Sequence, residues 1–178
     1  MRGRTFRRHG DHVRASFDPV DVELLLTTRQ QLHEALERDD PSDPVVQRLF
    51  PTAVLGDHDA NGELRQLLHD DLLRRRLEGL DELAALLERG RPHHGGIQVD
   101  LVDDEPLLVL GVLNDVRLAI GAGIDIESLD RDAALLDDAV AYRLAVMNHF
   151  AAFQDELLAI VDPASLTYVD HLDIDDDA

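Results

Sequence analysis

The chain has 178 residues, 37 of them acidic and 17 basic, for a formal charge of -20 at pH 7. That length suits one domain with tails and is too short for two ordinary domains, and the acidity disfavours nucleic-acid binding over the whole surface. With no cysteine, a disulfide framework, a thiolate metal site and a thiol redox switch are excluded.

Apolar residues make up 44% of the chain and aromatics only 4%, so the core must come from Leu, Val, Ala and Ile, which suits helix packing. The charge is uneven, because Arg2, Arg4, Arg7, Arg8 and Arg14 stand against Asp11 alone in the first fifteen residues. That arginine-rich start has no apolar run behind it and is not a secretory signal.

Residues 4–17 alternate around His9-Gly10-Asp11, with Phe6, Val13, Ala15 and Phe17 as the apolar set, which predicts a β-hairpin. Asp18-Pro19-Val20-Asp21 supplies an N-cap, a proline at the first helical position and an acid in the first turn. A helix is therefore predicted over 19–38, with Val22, Leu25, Leu26, Leu32 and Leu36 as its stripe, ended by Asp39-Asp40-Pro41. Ser42 or Asp43 before Pro44 opens a short helix over 44–50, and Thr52 to Asn61 reads as a loop. Leucines 64, 68, 72, 77, 80, 83 and 87 predict a helix over 62–89, with Asp70–Arg74 and Asp71–Arg75 as i,i+4 pairs. Gly90-Arg91-Pro92 marks its end, His93-His94-Gly95-Gly96 is a turn, and Ile97, Val99 and Leu101 alternate like a short strand joining the hairpin.

Leu107 to Ile124 is apolar but for Asn114, Asp115 and Arg117, which predicts a helix over 105–122 buried in the middle of the domain. It is about long enough to cross a bilayer, but those polar residues are expensive in lipid, so the reading is a cytoplasmic protein and no membrane partner. A last helix is predicted over 132–161, closed by Asp162-Pro163. The expected fold is mainly α: a helical bundle around a buried central helix, with a small N-terminal β-hairpin joined by a third short strand. It forms one domain over 1–163, followed by an acidic tail over 164–178.

Asn114, Asp115 and Arg117 are the candidate partner- or ligand-binding residues, and the alternative to a regulatory interaction domain is a small helical ligand-binding protein or enzyme with its site around them. Charged groups inside an apolar helix need partners, and residues two apart do not face each other on a helix. Each must reach a different element, with Asp71 or Asp137 as candidate acids for Arg117. The plainer reading is a network that ties helices together.

Asp57-His58-Asp59-Ala60-Asn61-Gly62 copies the opening of a calcium loop, but Leu68 stands where the bidentate acid is required. His9 with His12, and His93 with His94, lack a third zinc ligand at helical spacing. Gly121-Ala122-Gly123 ends a helix where a nucleotide fingerprint must open one. Arg74-Arg75-Arg76, flanked by acids, reads as a solvated helix face. The tail mixes Leu166, Tyr168, Val169, Leu172 and Ile174 with five aspartates, a composition that suits disorder or a partner groove.

Leu113-Asn114-Asp115-Val116-Arg117-Leu118-Ala119-Ile120-Gly121, set before a long C-terminal helix holding Tyr142 and Phe153-Gln154-Asp155-Glu156-Leu157, resembles the AosR-like family of actinobacterial proteins. The basic hairpin before an Asp-Pro helix start, and Asp70-Asp71-Leu72 in the middle helix, are also similar to it. The resemblance implies a cytoplasmic helical protein without enzymatic activity or cofactor, a regulator of the oxidative-stress response acting through protein partners of the transcription machinery. The redox-sensing role of that family depends on a cysteine pair, which this chain cannot form, so it is not carried over. Leucine exposure on the middle helix would favour a homodimer.

Overall fold

The computed structural model describes residues 4–51, 62–124 and 138–162, with 62–65 described as backbone only. The expectations for the loop at 52–61 with its calcium-like opening, the helix start at 132, Asp137 and the tail at 164–178 lie outside these residues.

Two hairpins meet edge to edge in a four-stranded antiparallel sheet. β1 (Phe6–His9) and β2 (His12–Phe17) turn through Gly10 at φ 65°, and β3 (Arg91–His93) and β4 (Gly96–Leu101) turn through His94 and Gly95, both at positive φ. Two-residue loops with such dihedrals match the right-handed twist of paired strands. The spatial order is β1-β2-β4-β3, with Phe17 opposite Ile97 and Val13 opposite Leu101.

β3 is a fourth strand that the spacing did not predict, because Pro92 reads as a helix stop. His93 pairs Gly96 across a two-residue turn and Arg91 pairs Gln98, which leaves Pro92 at the intervening position of an edge strand, its nitrogen turned away from β4. Its missing N–H costs no ladder bond there. Gly96 is constrained by space: a Cβ on it would run into the Phe17 carbonyl oxygen and lie 2.8 Å from Asp18 Cα.

The helices are α1 (Pro19–Arg38), α2 (Pro44–Leu49), α3 (Gly62–Glu88), α4 (Glu105–Ala122) and α5 (Asp138–Val161), and the protein is mostly helical. α1 starts in a capping box: Asp18 accepts from Asp21 N–H at 2.9 Å while Asp21 accepts from Asp18 N–H at 3.0 Å. It stops at Asp39, which takes the left-handed conformation at φ 43°.

One face of the sheet carries Phe6, Val13, Ala15, Phe17, Val99 and Leu101 into the core. Against it pack α5 through Phe150, Phe153 and Leu157, α3 through Leu80, Leu83 and Leu87, and α1 through Leu25 and Leu32. The strand alternation of β2, inward at Val13, Ala15 and Phe17 and half-buried between, is the two-residue period made visible.

α4 corrects the expectation of a helix enclosed on every side. It touches α1, α2, α3 and α5 and buries Pro106, Val109, Val112, Leu113 and Val116, yet Leu107, Gly111 and Asn114 lie exposed along its outer line. Leu107 is 54% exposed. A run of apolar residues fixes the helix but not which side meets solvent. By length and hydropathy alone, α5 is the one described helix long and apolar enough to cross a membrane. Its Phe150, Phe153 and Leu157 are spent on the core, and its Glu156 carboxylate accepts from Thr5 and Phe6 N–H at 2.7 and 3.1 Å.

Candidate functional site

α4 turns 100° per residue, so Asn114, Asp115 and Arg117 fan out rather than converge. Asn114 faces solvent. Asp115 forms an ion pair with Arg76 of α3, whose guanidinium also lies 5.4 Å over the Phe50 ring and donates to the Leu49 carbonyl at 3.3 Å. Arg117 Nη1 donates to Gln154 Oε1, and Gln154 Nε2 donates to the Leu110 carbonyl at 3.2 Å. The partner of Arg117 is thus a neutral amide on α5; Asp71 is occupied by Arg74 and Arg75. Asp70 meets Gln66 rather than Arg74, which instead reaches Glu78.

Three residues that sequence reasoning passed over complete these contacts. Gln154 is 8% exposed on the stripe of α5 between Phe150 and Leu157, and a lone amide among buried hydrophobes was the available signal. Asp21, 4% exposed, gives its second oxygen to His149 Nε2 at 2.8 Å and ties the start of α1 to α5. Arg76 lay hidden in its triplet. No group of three potential metal ligands occurs among the described residues.

Beside Val116, where α1, α4 and α5 splay apart, lies a groove of about 570 Å³. Leu24, Leu32, Ala119, Ile120 and Val146 give it an apolar floor, with Glu23, Gln31 and Arg143 at its rim. Tyr142 and Val20, 62% and 54% exposed, flank it. Arg143 is held there by donation to the Gly123 carbonyl at 3.0 Å.

A second polar knot closes the other end of α4. Glu105 accepts from Arg89 at 2.5 and 2.7 Å and from Val102 N–H at 2.8 Å, and these bonds, the Arg89 pair first, hold its carboxyl below the ordinary glutamate value. A depressed carboxyl stabilises the fold above its unfolded pKa of about 4.3 and loses that contribution as pH falls through the lower folded value. Glu105→Gln is therefore expected to flatten the loss of stability on acidification below about pH 4. Urea midpoints measured against pH for both proteins test this; parallel acid limbs would contradict it.

Helices on one face of an antiparallel sheet, joined by polar contacts that run between helices, make this a small, mostly helical domain with an open groove. No curated protein and no solved structure matches the chain. A family model does, over residues 1–161, and the chain belongs to that family, described as Domain of unknown function (DUF2017).

Proposed function

We propose that this is a cytoplasmic, non-enzymatic regulatory domain that binds a protein partner in the groove between α1, α4 and α5. The observation that carries this reading is the groove itself, apolar along its floor and polar at its rim. Its lining on α1 runs from Val20 to Ala35, about 22 Å at 1.5 Å per residue. That is the length of a four-turn helix, which docks by apolar anchors spaced i, i+3/i+4, i+7. The divergence of Asn114, Asp115 and Arg117 speaks against a catalytic or small-ligand site built from them, since such a site needs groups aimed at one point. A role in stress-linked transcription, as in the AosR-like proteins, fits a domain that works by contact alone.

A second copy of the chain is the weaker occupant. Leu67, Leu68 and Leu72 are 67%, 55% and 46% exposed on the first half of α3, but three residues fall far short of the roughly 20–30 a side of a stable interface. The test is a selection from displayed helical peptides, repeated with Ala119→Trp, which fills the groove. Enrichment of amphipathic sequences that bind at least about tenfold more weakly to the variant, at unchanged circular dichroism, is the expected result. Selected peptides indifferent to Ala119→Trp would place the partner elsewhere.

A further inference from the structure

No described helix packs on the outer face of the sheet, and the composition of that face is opposite to that of the rest of the molecule. Outward positions hold Arg7 and His9 of β1, His12 and Arg14 of β2, and Arg91 and His93 of β3, with Asp100 of β4 the one acid among the strand residues. Asp100 is consumed where it stands: Arg14 Nε donates to it at 2.6 Å, Arg91 Nη2 at 2.7 Å, and His12 Nε2 lies 3.5 Å away. Its carboxyl is held below the ordinary aspartate value, chiefly by the Arg14 bond.

Arg7 and Arg14 are directly opposite each other across β1 and β2, a like-charge pairing that destabilises a bare sheet. Several arginines elsewhere among the described residues meet acids, as Arg29 meets Asp81, Arg74 meets Glu78 and Arg89 meets Glu105. Arg7 has no hydrogen bond or ion pair among the described residues, and it is exposed. A local conflict of charge retained on an open face is the kind of departure from self-consistency that marks a binding surface.

We infer that this face docks an acidic segment of a protein partner, with Arg7, Arg14 and Arg91 receiving its carboxylates. Asp100 already shows the mode, a carboxylate seated between two guanidiniums. Strand addition at the edges is disfavoured, because Glu156 occupies the outward N–H of Phe6 on β1 and Pro92 has none to offer on β3. The described strands place no Phe, Tyr or Trp on this face for bases to stack on, and the formal charge of -20 opposes a polyanion far more than a short acidic stretch. Nucleic acid is therefore the disfavoured occupant. This surface is separate from the α1, α4 and α5 groove, so either can fail without the other.

The probe is a short fluorescein-labelled peptide alternating glutamate with threonine, titrated by anisotropy into the full chain at low and at moderate salt. Binding is expected to weaken at least about tenfold in Arg7→Glu and again in Arg7→Glu/Arg91→Glu, and to fall with salt. Arg7→Glu breaks no bond among the described residues, and Ala119→Trp is expected to leave peptide binding untouched. Equal binding by wild type and Arg7→Glu would overturn the inference. So would tighter binding of a single-stranded oligonucleotide of equal charge. Binding that appears only after Asp170, Asp173, Asp175, Asp176 and Asp177 are changed to asparagine would overturn the inference as well, since the chain's own acidic end would then hold the face in the unaltered protein.

Discussion

Phe153→Ala is expected to cost about 3–5 kcal/mol, the usual penalty for deleting a ring from a packed core. Phe153 is 3% exposed, and its ring lies 5.8 Å from that of Phe6, 5.9 Å from Phe17 and 4.5 Å from His149. Those partners come from β1, β2 and α5, so the ring is where the two strands of the first hairpin meet the last helix. A chain with few aromatics has concentrated them here: Phe6, Phe17, Phe150 and Phe153 form one cluster, with Phe6 edge-on to Phe17 and Phe153 and the other pairs tilted. The cavity left by alanine cannot be closed from one side, since the sheet is held by its own ladder and α5 by Glu156 bonded to β1. Against a total stability of roughly 5–15 kcal/mol, the loss is expected to lower the thermal midpoint by about 10 °C. Tyr142→Ala, at an exposed position of the same helix, is expected to change stability by less than about 0.5 kcal/mol. Melts of the two variants decide the matter. Equal midpoints would show that α5 does not carry the sheet.

The helix starts were legible because they rest on local chemistry. Asp18-Pro19 and Asp43-Pro44 specify their own caps, and α1 and α2 begin at Pro19 and Pro44. The first hairpin was legible from Gly10 and the alternation of Val13, Ala15 and Phe17. What local chemistry does not contain is the side on which a neighbour lies. Pro92 carries the same stop signal whether the chain ends a helix or begins an edge strand; pairing with β4 decides it. The apolar run of α4 likewise reads as enclosed until Leu107 and Gly111 are found facing out.

The polar contacts divide in the same way. That Asp115 and Arg117 need separate partners follows from helical angle alone. Which partners they find depends on the packing of α3 and α5. An acid was the natural expectation for Arg117, but its Nη1 donates to Gln154, which passes the contact on to the Leu110 carbonyl, while its buried Nε meets no acceptor among the described residues. Arg74-Arg75-Arg76 looked like one solvated patch, yet three consecutive helical residues span 200°. Arg74 and Arg75 meet Asp71 outside, while Arg76, between the turns that carry Leu73 and Leu80, points inward to Asp115. The spacing from Leu73 and Leu80 was the overlooked signal.

That inward arginine yields the second large effect. Arg76→Ala is expected to cost about 3–4 kcal/mol, because removal of one partner from a largely covered ion pair strands the other. The side chains of Arg76 and Asp115 are 23% and 16% exposed, enough cover to make a stranded charge costly and enough solvent to hold the figure near the lower end of the range. Asp115→Ala is expected to cost somewhat less, about 2–3 kcal/mol, since Arg76 then keeps its stacking over Phe50 and its bond to the Leu49 carbonyl. If the pair serves to join α3, α2 and α4 rather than to bind a ligand, apolar groups of similar volume should replace both at little net cost. Arg76→Met/Asp115→Leu is accordingly expected to recover most of the loss and to approach the wild-type urea midpoint. Additive losses in the double variant would mean that each charge works with something other than its partner. The architectural reading of Asp115 would then give way to one in which that carboxylate answers to a bound molecule.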